Sequence, residues 1–193
     1  MTLPKTMKQR TLWIALTGLF MAMNIVLSMS IFSVPVPGGH LYVNDIVIVF
    51  ASIILDPVAA FMVGGVGAFL GDLLFYPAPM FVSLITHGLQ AVLISLFSHY
   101  VLKKYKPLGS GIGVTVGGIV EIIGYSLGRA FFYGSNRSIE TAIVKLPFQV
   151  LQVLIGAVIG MLLCYAFGLR KLFDNRVSGH LYTDSGRANA HTA

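Results

Sequence analysis

The sequence predicts an all-α membrane protein with six transmembrane helices and both termini in the cytoplasm. Of its 193 residues, 56% are hydrophobic and only 10% are charged, and the mean hydropathy is +0.83. This composition is typical of integral membrane proteins and unlike that of soluble domains. Six apolar runs, bounded by charged residues or by proline and glycine, supply the helices. The predicted runs are residues 12–32, 43–55, 57–75, 80–102, 108–133 and 139–167.

These runs form a single transmembrane domain over residues 1–170. The stretch 33–42 (SVPVPGGHLY) breaks the chain after the first helix and predicts a loop on the far side of the membrane. Asp56 followed by Pro57 predicts the N-cap and first position of the third helix. Pro147 predicts a kink near the start of the sixth. Residues 171–193 are polar, and we expect them to form a mobile cytoplasmic tail outside the fold.

The basic residues fix the predicted orientation. Ten of the 13 Lys and Arg residues lie in the N-terminus, the 103–106 loop and the tail after 169, which leaves only Arg129, Arg137 and Lys145 for the other side. The positive-inside rule then places both termini in the cytoplasm, and an even number of crossings follows. Because topology accounts for the net charge of +6, nucleic acid is not an expected partner.

Polar side chains recur at helical spacing in the last three helices. Glu121, Tyr125 and Arg129 lie four residues apart, so they share one face of the fifth helix. Ionisable groups at membrane depth are costly unless they face a protein interior or a water-filled cavity, so they indicate a functional site. In this orientation the polar side chains of helices 4, 5 and 6 lie at matching depth. The first loop and the 72–79 turn lie above them and are expected to form a lid. The full set in these helices is His87, Gln90, Glu121, Tyr125, Arg129, Lys145, Gln149 and Gln152. We therefore expect a small-molecule cavity that opens outward.

Each candidate also has a structural interpretation. Glu121 can hydrogen-bond a ring nitrogen or a hydroxyl of a ligand, or it can pair with Lys145 and hold two helices together. His87 can bind a ligand or be satisfied by a neighbouring carbonyl. Asn44 and Asp45 start a helix, where capping and binding are equally consistent with the sequence.

Two further residues have alternatives of the same kind. Asp72 can cap a turn or pair with Arg129, and a structural role is favoured for it. Phe148 can stack on an aromatic ligand or anchor the helix at the membrane interface.

Several classes of chemistry lack their motifs in this sequence. The glycines at 109–118 do not form GxxxxGK[ST], so we expect any ATP hydrolysis to occur on partner subunits. Cys164 is the single cysteine, which leaves no disulfide framework and no cysteine-based metal site. Neither a metalloprotease pair nor a GxSxG elbow occurs. We expect a chain without catalytic residues, cofactor or bound metal.

Over most of its length the sequence resembles a known transporter family. The basic start, the small-residue pair Gly18 and Ala22, the Pro/Gly first loop and the run YVNDIVIVFASIILDPVAAFMVGGVGAFLGDLLFYP are similar to the substrate-binding S component of an energy-coupling factor (ECF) vitamin transporter. The segment GDLLFYPAPMFVSLITHGLQ is most similar to the hydroxymethylpyrimidine or pyridoxine subgroup. The resemblance covers about 160 residues and implies an ECF S-component-like bundle in the plasma membrane of a bacterial cell.

The resemblance also implies a mechanism and partners. An S component of this kind binds its vitamin from outside with the first loop and helices 4 to 6. It then docks on the membrane scaffold EcfT, coupled to two ATP-binding cassette ATPases, and topples so that the site faces the cytoplasm. The family's docking motif is Ala-xxx-Ala in helix 1, and the nearest match here is Gly18-xxx-Ala22 with Ala15 one turn earlier.

Other functions remain open on sequence alone. The chain can be an S component for another vitamin, such as riboflavin or pantothenate. It can be a stand-alone proton-coupled secondary transporter, with Glu121 or His87 relaying the proton. An intramembrane enzyme using these two residues as acid and base is the least favoured interpretation, because no activated nucleophile is recognisable.

Overall fold

Helices account for most of the computed structural model, which describes residues 6–102, 104–133 and 138–182. A β-hairpin of Val34–Val36 (β1) and Gly39–Leu41 (β2) follows the first helix, and Pro35 pairs with His40 at its centre. The sequence predicts only a loop there. The helices are α1 (Met7–Leu27), α2 (Asp45–Ile54), α3 (Pro57–Phe75), α4 (Met80–His99), α5 (Lys106–Phe131), α6 (Ile139–Ala166) and α7, which comprises Leu169–Phe173, Asp174–Ser178 and Gly179–Leu181.

Five of the described helices are long and apolar enough to cross a membrane, namely α1, α3, α4, α5 and α6. The sixth predicted crossing corresponds to α2, which has only 10 residues. At 1.5 Å per residue α2 is about 15 Å long, about half the thickness of the hydrocarbon core. It nevertheless returns the chain along α1, since Asn44 bonds Asn24 near the end of α1 while Asp56 bonds Trp13 near its start.

The core is built around α2. Eight of its ten residues are buried, and Ile48, Ile53 and Ile54 are at most 1% exposed. A helix that is apolar on all sides is expected to be surrounded by other elements. Here α1, α3, α4 and α6 all pack on α2, so its first residues are fixed in the interior of the bundle.

Asp56 joins three parts of the chain at the start of α3. Its Oδ1 accepts hydrogen bonds from the backbone N–H groups of Val58 and Ala59, as the predicted N-cap requires. Its Oδ2 accepts bonds from Trp13 Nε1 at 2.6 Å and from the Tyr182 hydroxyl at 2.9 Å. The predicted cap with Pro57 at the first helical position is therefore confirmed.

Several boundaries differ from those predicted. The first helix begins at Met7 rather than at residue 12, because Thr6 and Gln9 form a capping box, and it ends at Leu27 rather than at residue 32. Residues 171–182 are not a loose polar segment, since they form most of α7 and bury Phe173, Leu181 and Tyr182. Residues 183–193 and the predicted loop residues 134–137 lie outside the described part of the chain.

Close helix contacts depend on glycines that face a neighbouring helix. A Cβ on Gly64 in α3 would lie 2.7 Å from the Cβ of Ala91 in α4, and one on Gly156 in α6 would lie 2.5 Å from the Cβ of Asp45. Such distances exclude a larger side chain unless a helix moves. Small residues are the usual means of close packing between membrane helices, and here they bring α3 against α4 and α6 against α2, next to the polar residues described below.

Candidate ligand-binding site

A polar cavity lies between the β-hairpin and the neighbouring ends of α4, α5 and α6. The free volume of its interior is about 30 Å³, room for about two or three water molecules, so a larger ligand requires the hairpin to move. Its walls are unusual for the interior of a membrane bundle, because most of the lining side chains are polar or charged. The lining residues are Ser28, Gly39, His40, Tyr42, Asn44, Ala68, Asp72, Tyr76, Pro79, His87, Tyr125, Arg129, Tyr133, Lys145, Gln149 and Gln152.

Most of the candidate residues from the sequence meet at this cavity. The seven that line it are Asn44, His87, Tyr125, Arg129, Lys145, Gln149 and Gln152. Glu121, Gln90 and Asp45 are buried among them, below the cavity wall, and are bonded to residues that form it. Phe148 is the exception, since it is half-buried and does not belong to the lining. Its proposed stacking on a ligand is therefore not supported.

Glu121 is the centre of a buried hydrogen-bond network. The residue has no exposed surface, and its two carboxylate oxygens accept bonds from Gln90 Nε2 at 2.7 Å and from Gln149 Nε2 at 2.8 Å. Hydrogen bonds from two amides compensate part of the cost of burying a carboxyl group. The network joins α4, α5 and α6, and it orients the Gln149 amide that lines the cavity.

A second arm of the network reaches α2. His87 Nδ1 lies 2.8 Å from Gln90 Oε1 and 3.5 Å from Asp45 Oδ1. The other oxygen of Asp45 accepts a bond from Gln152 Nε2 at 3.0 Å. A single set of hydrogen bonds thus fixes the side chains of four helices beneath the cavity.

The side chains of Asn44 and Asp45 do not cap α2. Asn44 makes no capping bond, and instead its Nδ2 donates to Asn24 Oδ1 at 2.9 Å and to Ser28 Oγ at 3.2 Å. The Asp45 carboxylate instead accepts a bond from Gln152 and lies near His87. The capping interpretation of these two residues is therefore wrong, and the structure leaves them as part of the cavity and its support.

Asp45, His87 and Glu121 also come close enough to suggest a cation, since one ligand atom from each lies within 4.8 Å of the others. The donor set argues against that use. Amide N–H groups of three glutamines, rather than oxygen ligands, face the two carboxylates. Carboxylates surrounded by N–H donors are stabilised without a metal, so we assign the cluster to the hydrogen-bond network.

The β-hairpin covers the cavity and is held there by three contacts. Arg129 Nη1 donates to the carbonyl oxygen of Gly38, and Lys145 Nζ donates to that of His40. The backbone N–H of Tyr42 donates to Gln152 Oε1 at 3.0 Å. The tight turn of the hairpin requires positive φ at Gly38 (+80°), which glycine adopts without strain. Three of the candidate polar residues thus bind the backbone of the first loop.

These contacts decide two alternatives. No described carboxylate lies within 4.0 Å of the Lys145 or Arg129 nitrogens, so the structure supports neither a Lys145–Glu121 pair nor an Asp72–Arg129 pair. Asp72 Oδ2 instead accepts a bond from Ser83 Oγ, which in turn lies 2.5 Å from the Tyr125 hydroxyl. Asp72 is both structural and part of the lining.

Sequence reasoning missed the tyrosines and the histidine of the hairpin side. His40, Tyr42, Tyr76 and Tyr133 all line the cavity, and Tyr133 stacks against the Arg129 guanidinium at 4.9 Å. Burial, with the Asp72 carboxylate nearby, raises the pKa of Tyr42 to about 12, so its hydroxyl stays protonated at physiological pH and can donate a hydrogen bond. The available signal for His40, Tyr42 and Tyr76 was their position in the two segments predicted to form a lid, whereas Tyr133 lies at the end of the predicted fifth helix, one turn after Arg129.

Two polar atoms of the lining and one beneath it are buried without a hydrogen-bond partner among the described residues. They are Asn44 Oδ1, the Tyr133 hydroxyl and Asp45 Oδ1. Buried polar atoms are nearly always paired, and each exception requires an explanation. The two that line the cavity, the acceptor Asn44 Oδ1 and the donor hydroxyl of Tyr133, match a ligand that carries both donor and acceptor groups.

The predicted docking residues lie on the outer surface of α1. Ala15 and Ala22 are exposed, and Gly18 is half-buried. A Cβ on Gly18 would meet no atom within 4 Å, so this glycine does not serve packing within the described chain. Only 11% of the most apolar 18-residue stretch of α1 is buried. The small residues therefore leave a smooth surface at which lipid or another helix can approach closely.

Comparison with known proteins agrees with this architecture. Over residues 8–168 the chain matches the family model described as ECF-type riboflavin transporter, S component. It is also similar to an uncharacterized protein in the gap 3′ region of Pyrococcus woesei, with 27% identity over 132 residues, which cover 67% of this chain and 87% of the relative. With most of its length matched and five apolar spans, this chain belongs to the ECF-type riboflavin transporter S component family, the substrate-specific, vitamin-binding subunits of multi-pass membrane transporters.

Proposed function

We propose that this chain captures hydroxymethylpyrimidine or pyridoxine in the hairpin-covered cavity, from outside the cell. It would deliver the ligand by docking on EcfT, while two partner ATPases hydrolyse ATP. Membership of the S-component family implies that association with EcfT and ATPase modules. The site, the ligand and its route are our proposal.

The observation that carries the proposal is the convergence of polar side chains at one cavity inside an apolar bundle. Glu121 and Asp45 are at most 1% exposed, and Lys145 is 4% exposed. Placing such groups inside a membrane bundle is expensive and is generally associated with function. The cavity opens at the hairpin end, whereas Trp13 and Asp56 mark the opposite end near the N-terminus.

The cavity chemistry favours a small heterocycle with several polar substituents. Asn44 Oδ1 can accept from an exocyclic amine or a hydroxyl, and the Tyr133 hydroxyl can donate to a ring nitrogen. Hydroxymethylpyrimidine and pyridoxine carry such groups on one aromatic ring. Aromatic rings of His40, Tyr42 and Tyr76 flank the space and can pack against that ring.

Unphosphorylated ligands are favoured over their phosphate esters. The two cations of the lining, Arg129 and Lys145, are both engaged by carbonyl oxygens of the hairpin. A phosphate is bound best by several free Arg or Lys donors. Binding a phosphate here would require breaking the contacts that hold the hairpin over the cavity.

Two observations support alternatives. The matched family model is named for riboflavin, so a flavin is the main competing ligand. The buried His87–Asp45–Glu121 cluster is also the kind of group that relays protons in a secondary transporter. Proteoliposomes containing the chain alone distinguish a secondary transporter from an S component, because proton-driven uptake without ATPase partners would favour the secondary transporter.

The ligand is tested by isothermal titration of the purified chain with pyridoxine, hydroxymethylpyrimidine, riboflavin, pantothenate and thiamine. We expect one-to-one binding of pyridoxine or hydroxymethylpyrimidine with nanomolar to micromolar affinity, and weaker binding of the others. Preferential binding of riboflavin would overturn the ligand assignment while keeping the S-component role. Absence of binding by all five compounds would contradict the capture function itself.

Docking is tested separately at the exposed small-residue surface of α1. Gly18→Leu places a bulky side chain there and should weaken co-purification with EcfT, whereas ligand affinity of the isolated chain should not change. Thr115→Leu is a matched control, because this exposed residue lies on a different helix, α5. Equal co-purification of both variants with EcfT would show that docking uses another surface.

A further inference from the structure

A second cavity lies at the opposite end of the bundle, where α5 begins, α6 ends and α7 begins. Its volume is about 510 Å³. Lys106 starts α5 at this end, whereas Arg129 reaches the hairpin at the other, so the two cavities are separated by the length of the helix. The lining residues are Lys106, Pro107, Cys164, Tyr165, Gly168, Arg170, Lys171, Asp174 and Asn175.

Arg170 is a buried cation held in place by neutral groups. It is 4% exposed, and Nη1 donates to Ser110 Oγ at 2.9 Å and also to the Tyr165 hydroxyl. Its Nη2 donates to the Ser98 carbonyl oxygen at 2.9 Å. Its Nε is buried and has no hydrogen-bond partner in the described ranges.

The charge of Arg170 has no counterion in that part of the chain. No described carboxylate lies within 4.0 Å of its nitrogens. A buried charge without a paired opposite charge is strongly unfavourable. Since Arg170 lines the cavity and no carboxylate of residues 6–102, 104–133 or 138–182 pairs with it, an external anion is the simplest partner for it.

The other charges at this cavity add to the imbalance. Lys106, Arg170 and Lys171 are cationic, whereas Asp174 is the only acidic residue among the described residues of the lining. Asp174 is already bonded to Lys106 at 2.9 Å. Two positive charges, those of Arg170 and Lys171, are therefore left for a ligand.

The position of the cavity suggests where such an anion comes from. The spans of α5 and α6 have 26 and 28 residues, so at 1.5 Å per residue each exceeds the thickness of the hydrocarbon core, about 30 Å. Their ends, where the cavity lies, are therefore at the level of the lipid headgroups. Basic pockets between membrane helices are known to bind phospholipid headgroups, and a guanidinium is well suited to phosphate.

We propose that this cavity binds a phosphate group, with Arg170 and Lys171 as its charged contacts. The phosphate can belong to an anionic phospholipid headgroup or to a soluble phosphate compound, and the test below distinguishes these sources. This site is independent of the vitamin cavity. It would neutralise the buried Arg170 and fix α7 against the ends of α5 and α6.

The test measures binding of phosphatidylglycerol, with phosphatidylcholine as the reference, to delipidated full-length protein by native mass spectrometry. A parallel arm adds inorganic phosphate without anionic lipid and measures the melting temperature. Lys171→Gln should weaken binding about fivefold, the effect expected for one basic residue at an anionic lipid surface. Arg170→Lys keeps the charge and loses the planar fork, and it should weaken binding about tenfold or more.

Lys8→Gln is the matched control, because Lys8 is an exposed cation at the start of α1 and lies outside the cavity lining. Binding by this variant should stay within about twofold of the wild type. Selective loss in the Lys171 variant with phosphatidylglycerol alone would identify a lipid, and the same loss with inorganic phosphate would identify a soluble source. Equal loss in the Lys8 and Lys171 variants, or no binding of either probe to the wild type, would overturn the proposal. If Arg170→Lys does not fold, the Lys171 variant decides.

Discussion

Replacement of Glu121 by alanine tests how far the buried network supports the candidate site. The change removes both acceptors of the amide N–H groups of Gln90 and Gln149, now at 2.7 and 2.8 Å. Both amides would then be buried and partly unpaired. Each unpaired donor costs about 1–3 kcal/mol, so the total perturbation is about 2–6 kcal/mol.

Part of that cost should appear in ligand binding. Gln149 lines the cavity, so without Glu121 its amide is free to turn and no longer presents a fixed group to the ligand. If a quarter to a half of the perturbation is expressed in binding, the loss is about 0.5–3 kcal/mol, which is about twofold to 150-fold in Kd. We expect pyridoxine or hydroxymethylpyrimidine affinity to fall by that factor.

The assay is isothermal titration at equal protein concentration, after size-exclusion chromatography has shown that the variant is monodisperse. Glu140→Ala is the matched control, since Glu140 is exposed at the start of α6, and it should bind as the wild type does. Glu121→Gln preserves the side-chain volume and loses one acceptor, so its effect on affinity should be smaller than that of alanine. It replaces the alanine variant if that variant is unstable. Unchanged affinity in a folded Glu121→Ala protein would refute the reasoning.

Three further predictions concern packing, the hairpin and the start of α3. Gly64→Ala should lower stability by about 1–3 kcal/mol, since its Cβ would lie 2.8 Å from a backbone oxygen of α4. Gly18→Ala is the control, because a Cβ there would meet no atom within 4 Å, and it should not destabilise the protein. Equal melting temperatures of the Gly64→Ala and Gly18→Ala variants would show that the α3–α4 contact is not tight. Arg129→Gln removes a bond to the hairpin and should speed ligand dissociation about tenfold in stopped flow; an unchanged rate would exclude this contact as a latch. Asp56→Ala removes the acceptor of Trp13 Nε1, so the fluorescence of this single tryptophan should shift and the melting temperature should fall, and neither would change if that hydrogen bond were unimportant.

The polar stripes could be predicted because helical periodicity is a local property of the sequence. Residues 121, 125 and 129 are spaced at one turn, and so are the polar residues of α6, so the shared face follows from geometry alone. The depth match between helices followed from the topology. The network between Glu121, Gln90 and Gln149 is a direct consequence of those two facts.

The partners of the two cations could not be predicted in the same way. Arg129 and Lys145 bind carbonyl oxygens of Gly38 and His40, which lie about a hundred residues away in the chain. Backbone carbonyls carry no sequence signature, and the hairpin that presents them is too short for a periodic pattern. Tertiary packing alone brings these groups together.

Other differences have local causes that the sequence contains. The Thr6–Gln9 capping box has the S/T-x-x-E/Q pattern that marks a helix start, although a hydropathy window places the start at residue 12. The segment 171–182 is polar on average, but Phe173, Leu181 and Tyr182 are buried. Apolar residues at such spacing indicate an amphipathic segment, and average polarity conceals this pattern.

The central claim is that polar side chains of the last three spans and the hairpin enclose one vitamin-sized ligand. Native mass spectrometry of protein purified from cells supplied with vitamins tests it most directly, because the bound mass identifies both the ligand and the stoichiometry. The account predicts one pyridoxine or hydroxymethylpyrimidine per chain, lost from Glu121→Ala and retained by Glu140→Ala. Equal retention of the adduct by both variants, or a chain that carries no small molecule under any vitamin supply, would contradict it.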